Sequence, residues 1–330
     1  MSRRQRTQAS PRRRQEAPAP ARPEAVVAPA QGPVAPSQQG PAVSPTPTLD
    51  AAAVASGSGY AAPASIDAAA LDAVGAAVLV VVPAEQATQA AAHVPLLLRQ
   101  SAEAGVTRAD EVAYLLATAE HESGFGATQF RRSEPLVEDH NPYSYSERKK
   151  SWSAELHAGS RAGRVVSAPS EGALDTLYWD SMYGGRLGNE KGTSDAANYR
   201  GRGFVQLTGR SNYAAMSEIL NAEGFTYTLD GQTFGGPGGA AIDLVTHFDH
   251  VNRVPALASR ILVEGSIRGT FTGVKLSDAI NDAGTDFVDA RAVINGTDRA
   301  EDIAAIANRY ARVLRGPTGW ASVFGRPAVG

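Results

Sequence analysis

Beyond residue 76 the apolar positions recur at helical spacing, and before it they do not. Residues 84–104 place Val94, Leu97 and Leu98 on one face, and Gly105 follows as a stop. A second helix is predicted after Thr107, with Asp110 three residues on in the manner of a capping box. Its apolar positions are Val112, Leu115, Leu116 and Ala119, spaced i, i+3, i+4, i+7, and Gly124 marks its end. Residues 123–150 and 184–203 are polar and rich in loop formers. Helical spacing returns over 211–220, 242–263 and 276–294, with a glycine-rich turn at 235–239. A last helix is predicted from near Asp298, with Glu301 three residues on and Ile303, Ala307, Tyr310 and Leu314 on one face. Strand-like alternation is scarce, so the pattern predicts a mainly α fold.

Composition adds an arm. Residues 1–76 are dominated by Pro, Ala, Ser, Gln and Gly. Such a segment buries too little apolar surface to offset its chain entropy and is expected to be disordered. The expected division is an arm over 1–76, one domain over 77–316 and a C-terminal tail over 317–330. Arg3, Arg4, Arg6, Arg12, Arg13 and Arg14 stand unopposed at the start of a chain whose net charge is −3. They suit either an anionic partner, such as nucleic acid, teichoic acid or lipopolysaccharide, or a solvated tail. There is no cysteine. That excludes disulfides, thiolate metal sites and cysteine nucleophiles, and favours a protein made in a bacterial cytoplasm, a phage product included. No apolar run follows the basic start, and the most apolar stretch, 78–82, is too short to span a bilayer. The expectation is a protein made in the cytoplasm without a signal peptide and without a transmembrane segment.

The chemistry concentrates at 119–124. Glu122 lies seven residues after Leu115 and three after Ala119, so helical spacing puts it on the apolar face. A carboxyl desolvated there would hold its proton, as a general acid must near neutral pH. The alternative is a frayed helix end where solvent returns. His121-Glu122 does not continue into the HExxH zinc pattern, because Phe125 stands where the second histidine belongs. His247 and His250 flank Asp249, a weak metal signal and more in keeping with a surface or cap feature. Gly201-Arg-Gly203 begins like a dinucleotide fingerprint, but Gln206 replaces its third glycine. Neither a P-loop nor a serine nucleophile elbow is present. Carboxylate chemistry remains.

Four segments carry a family resemblance. Tyr199-Arg-Gly-Arg-Gly-Phe-Val-Gln-Leu-Thr-Gly-Arg-Ser-Asn-Tyr213 resembles the signature of glycoside hydrolase family 19, which holds chitinases and phage endolysins. Leu115-Leu-Ala-Thr-Ala-Glu-His-Glu-Ser123 is similar to the segment around that family's catalytic acid. Tyr183-Gly-Gly-Arg-Leu-Gly-Asn189 and Ala290-Arg-Ala-Val-Ile-Asn-Gly-Thr-Asp-Arg299 resemble its bacterial and phage branch. The blocks stand in the family's order and cover roughly residues 80–314.

The resemblance implies a lysozyme-like, two-lobed helical domain with a central substrate cleft. It also implies an inverting mechanism: one acid protonates the glycosidic oxygen, and a carboxylate about 6.5–9.5 Å away activates a water. Glu122 matches the acid. For the base the loop offers Glu134, Glu138 and Asp139, with Glu134 favoured and Glu138 next. Thr208 would help hold the water, and Gln206 and Asn212 would bind sugar, with His121, Tyr183 and Asn295 as further substrate contacts. Taken alone, Gln206 between Val205 and Leu207 points away from them in an extended segment, or is a structural amide. Arg202 suits a structural ion pair better than a ligand. Tyr143, Tyr145, Trp152 and Tyr183 either stack on sugar or pack in the core.

The implied partners are peptidoglycan glycan strands or chitin, with no cofactor and no metal, acting on a monomer unless assembled in a virion. The missing cysteines, the absence of a chitin-binding module and the phage-branch blocks favour peptidoglycan. A muramidase-type endolysin or virion-associated lysin comes first, reaching the wall after lysis-linked release or as a virion component. A bacterial chitinase is the second choice. A virion or secretion-system structural protein that only binds glycan is the alternative of another class, and the long basic arm suits such a tethered component.

Overall fold

The computed structural model describes residues 59–126 and 171–325. They are mainly helical. Helix α1 (Ala68–Val80) is capped by Asp67, whose carboxylate accepts from the Ala70 N–H at 3.0 Å. A short 3-10 turn leads into α2 (Ala87–Glu103), followed by α3 (Ala109–Ser123). Then come α4 (Glu171–Tyr183), the single turn α5 (Asp195–Asn198) and α6 (Arg210–Ala222). A hairpin of β1 (Tyr227–Leu229) and β2 (Gln232–Phe234) pairs Tyr227 with Phe234, whose rings stack at 5.1 Å. The single turn α7 (His250–Arg253) precedes α8 (Pro255–Arg268) and α9 (Leu276–Ala279). The small pair β3 (Ile280–Asn281) and β4 (Gly284–Thr285), a 3-10 turn at Asp289–Val293, α10 (Ala300–Leu314) and a last 3-10 turn at Trp320–Phe324 complete the chain.

Helix α3 is the centre of the core. Every residue from Glu111 to Glu120 is buried. The apolar stripe of the sequence accounts for one side only. Packing by α10 along its length, and by α2 and α8, also encloses Ala113, Tyr114, Ala117 and Thr118. A helix covered on all sides needs small residues where neighbours come close, and alanines 113, 117 and 119 supply them. Leu115 and Leu116 are each 1% exposed, and burying each contributes about 1.5–3 kcal/mol.

Several boundaries differ from those expected. The capping box at Thr107 and Asp110 does not form: the N-cap is Arg108, without a side-chain cap. Asp110 is taken instead by Arg315, at 2.6 Å to each oxygen, and by the Thr285 hydroxyl. A bidentate charged partner outcompetes a neutral backbone donor. The domain also begins before residue 77 and continues past 316. Leu71 and Val74 of α1 are buried, and Trp320 is fully buried, its indole N–H donating to the Val106 carbonyl at 2.7 Å. The Asp67 N–H donates to the Val323 carbonyl, which ties the start of α1 to the last 3-10 turn.

Helical spacing over 242–263 gives only the single turn α7 before α8 starts at Pro255, because Asp243 accepts from the Val245 and Thr246 N–H groups and holds a turn. Over 276–294 it gives α9, a tight hairpin and a 3-10 turn, because the Asn281 side chain accepts from the Ala283 N–H. Among the described residues no helix is long and apolar enough to cross a membrane.

Candidate functional site

Helix α3 ends abruptly. Gly124, Phe125 and Gly126 follow one another at φ 54°, 55° and 82°, all in the left-handed region. Glycine takes that conformation freely, but phenylalanine does so at a cost. Phe125 is held there by burial and by His93, whose Nδ1 lies 2.7 Å from the Phe125 carbonyl oxygen. The turn stays in the core: Ser123, Gly124, Phe125 and Gly126 are all buried. Glu122, which spacing placed on the buried face, is only partly buried, its side chain 20% exposed. The enclosed carboxylate is Glu120, at 5%, which pairs with Arg309 and accepts from the Tyr310 hydroxyl of α10.

Among the described residues Glu122 has one charged partner. Arg291, 4% exposed, places Nη1 2.6 Å from Oε1 of Glu122 and donates through Nε to the Asp298 carbonyl at 2.9 Å. The 290–299 block is thereby fastened to the end of α3. His121 is half-buried beside them. Burial pushes its pKa down, Glu122 pulls it up, and Arg291 and Arg299 push it down again. Asn295 is exposed, one turn beyond Arg291, and its side chain accepts from the Gly296 N–H.

Gln206, Thr208 and Asn212 come together, though not on an extended strand. Arg202 and Leu207 close a tight loop by exchanging backbone hydrogen bonds, and Gln206 sits within it at φ 55°. Val205 and Leu207 are buried while Gln206 and Thr208 are half-buried, so the alternation holds although the backbone turns. The Gln206 amide N–H donates to the Gly203 carbonyl at 2.9 Å, and its Oε1 is buried without a partner among the described residues. The Thr208 hydroxyl donates to the Gln206 carbonyl and the Asn212 amide to the Thr208 carbonyl, both at 2.8 Å. Arg202 is structural, as expected. Its contacts, however, are the carbonyls of Asn198 and Arg200, the Tyr213 hydroxyl and the Phe248 ring rather than an ion pair.

Tyr183 stacks on Trp179, centroids 6.0 Å apart and planes 6° from parallel. Its block is bolted to the previous one. The Asn189 carbonyl oxygen of the side chain accepts from the Arg210 N–H at 3.0 Å, and a Cβ on Gly209 would lie 2.3 Å from that of Leu187. The 199–213 block meets the turn after α3 through His93, whose ring packs edge-on against Phe204 at 5.2 Å. Five described non-glycine residues have positive φ: Phe125, Leu187, Gln206, Asp230 and Arg299. All but Asp230, which sits in a hairpin turn, lie in or beside one of the four blocks. Backbone strain of this kind gathers at functional sites.

The sequence reading missed Arg291 and His93. Arg291 lies inside a block already singled out, but no local spacing pairs it with a residue so far away in the chain. Of the surface and cap readings for His247, Asp249 and His250 the cap holds: Asp249 is the N-cap of α7, which His250 begins. The two histidines stack at 4.8 Å, and His250 is buried with its Nδ1 2.8 Å from the Tyr227 hydroxyl. Among the described residues no cluster of His, Asp and Glu is arranged to hold a metal ion. Glu134, Glu138, Asp139, Tyr143, Tyr145 and Trp152 lie outside the described residues, as does most of the expected arm. No protein-family model matches the chain, and no curated protein matches it at a significant level.

Proposed function

We propose that this chain is a peptidoglycan hydrolase of the lysozyme type, built on a two-lobed helical domain, and that Glu122 is its proton donor. The observation that carries the reading is Glu122 itself: a partly exposed carboxylate at the end of a packed helix, next to a strained turn and held by a buried arginine. In the proposed mechanism Glu122 protonates the glycosidic oxygen of a β-1,4 link. Glu134 or Glu138 of the following loop takes a proton from the attacking water, with inversion at the anomeric carbon. Thr208 helps hold that water, while Gln206 and Asn212, with His121, Tyr183 and Asn295, contact the sugars. The Gln206 Oε1 atom supports the sugar role, because a buried acceptor without a partner is costly unless a ligand satisfies it.

One observation favours a second reading. Arg291 donates to Oε1 of Glu122, an oxygen that a general acid would need to turn toward the glycosidic oxygen. The pair as it stands is a resting arrangement. A protein that uses the same surface only to bind glycan would keep it. The test is incubation of the full chain with peptidoglycan sacculi and, separately, with chitin oligomers, followed by mass spectrometry of the released reducing ends. Muropeptide release supports the proposal, and release from chitin alone moves the activity to chitinase. Binding to sacculi without release from either substrate overturns the hydrolase in favour of a glycan-binding component.

A further inference from the structure

The hairpin β1–β2 is too small to stand by itself, since two strands alone are marginal in water. Two inward rings hold it. Tyr227 and Phe234, stacked on each other, are 7% and 5% exposed, while Thr228, Gln232 and Thr233 face solvent. Both rings rest on histidines. His250 meets Phe234 edge-on at 4.8 Å and Tyr227 at 5.8 Å, and its Nδ1 lies 2.8 Å from the Tyr227 hydroxyl. His247 meets Phe234 at 5.8 Å and lies flat on His250, centroids 4.8 Å apart and planes 14° from parallel.

The two sides of this contact are fastened unequally. The segment that carries the histidines is tied to the body. The Tyr199 hydroxyl donates to the Val245 carbonyl at 3.0 Å, and the Phe248 ring packs on Tyr199 at 6.0 Å and against the Arg202 guanidinium at 4.9 Å. The hairpin has its two legs, where the Phe225 N–H donates to the Leu220 carbonyl and the Gly235 N–H to the Ala240 carbonyl. At its tip Asp230 pairs with Arg253, and both side chains are exposed. An exposed pair of that kind holds little. Between legs and tip the hairpin depends on its ring contacts.

The charge state of the rings decides whether those contacts hold. With both imidazoles neutral, Nδ1 of His250 accepts from the Tyr227 hydroxyl and the stack is unopposed. A proton on His250 turns that nitrogen into a donor, and the phenol must turn its own proton away. A proton on each ring sets two like charges face to face with little water between them. Burial opposes a proton on His250, as do His247 and Arg253, while Asp249 and Asp230 favour it; the balance holds its pKa below the usual histidine value. Both of those aspartates are engaged by Arg253. Asp243, whose carbonyl accepts from the His247 N–H at 2.9 Å, is the remaining acid beside the pair. We propose that His247 and His250 form an acid-operated latch: neutral, they hold the hairpin β1–β2 on the body, and when both are protonated the hairpin opens. The contribution of the latch is full above the ordinary histidine pKa of about 6.5 and is lost as pH falls below it, because the open hairpin takes up protons that the closed one excludes. The latch does not depend on the hydrolase reading.

The experiment is amide hydrogen exchange of the full chain at pH 7.5 and pH 5, corrected for intrinsic rates, with the hairpin compared with α8. Protection of the hairpin should fall by about tenfold at the lower pH, the share of one proton over one pH unit, while α8 keeps its protection. His247→Phe keeps a flat ring on His250 without a charge, and should reduce the fall to about threefold or less. In the wild type, nuclear magnetic resonance of the two imidazoles should show their protons entering in two steps at least about one pH unit apart, as interacting sites require. Unchanged hairpin protection at pH 5 overturns the latch, and so does an equal fall in His247→Phe. Protection lost from α8 and the hairpin together shows general acid unfolding and overturns it as well. Where His247→Phe does not fold, the ring titration decides: two imidazoles that titrate together as isolated histidines overturn the pair.

Discussion

Two buried arginine–glutamate groups in this molecule behave in opposite ways. Where α6 meets α8, Glu223, Arg260, Glu264 and Arg268 form a closed ring of ion pairs, each side chain no more than 14% exposed. Every charge there has two partners. At the end of α3, Glu122 has a single charged partner among the described residues, its side chain is 20% exposed and a strained turn follows it. The closed ring is a clamp, and nothing about it invites a ligand. The open pair leaves hydrogen-bonding capacity unspent, as expected of a site that something else completes. Burial of ionic groups alone does not mark a functional site, whereas unfinished burial does.

The comparison breaks most sharply at the ring. Arg268→Ala leaves two carboxylates against one arginine and should cost about 3–5 kcal/mol of unfolding free energy, as removal of one member of a buried ion pair does. Urea unfolding measures it. A loss below about 1 kcal/mol would show the ring to be solvent-screened rather than a clamp.

Glu111 is an intermediate case, with one oxygen accepting from the Tyr60 hydroxyl at 2.6 Å and the other buried without a partner. Burial pushes its pKa up to about 7, against the pull of Tyr60 and Arg108 and with a push from Asp110. The folded chain keeps this proton where the unfolded chain has released it. Stability from this group is therefore full below its ordinary value near 4 and falls as pH rises toward 7, by at most about 1.4 kcal/mol per pH unit. Unfolding at pH 5 and pH 7.5 should show a smaller difference in Glu111→Gln than in the wild type, and equal differences would refute the role of Glu111.

Arg291→Met sharpens the contrast with the ring. Glu122 can turn to water once its partner is gone, so the cost should be only about 1–2 kcal/mol, below that of Arg268→Ala. The two values, measured under the same conditions, should keep that order. The smallest effect is at Gln206. Asparagine accepts a positive φ more readily than glutamine, so Gln206→Asn should gain about 0.5 kcal/mol in thermal unfolding while weakening binding to sacculi. A gain with binding intact would make Gln206 a structural amide.

The helical class and most helix positions were legible because each helix repeats its apolar residues at a local period. Glu122 was legible for the same reason, as the end of the stripe through Leu115 and Ala119. Its partial exposure was not, because the helix ends one residue later in three successive left-handed residues at 124–126, and spacing does not encode how far the neighbouring elements cover that end. The pairing with Arg291 is a contact between segments distant in sequence, which no local pattern reports. Trp320 was assigned to a tail because a single tryptophan in a short glycine-flanked segment has no period to detect. Asp110 was read as a cap because its strongest partner, Arg315, is equally distant in the chain.

The most direct measurement compares turnover of sacculi by the wild type and by Glu122→Gln. Glutamine keeps an oxygen for Arg291 to donate to, so thermal unfolding should show a folded variant, and release of reducing ends should fall by about 10²–10⁴-fold, the usual contribution of a general acid. Release at the wild-type rate from a folded Glu122→Gln would remove Glu122 from the chemistry and contradict the proposed mechanism.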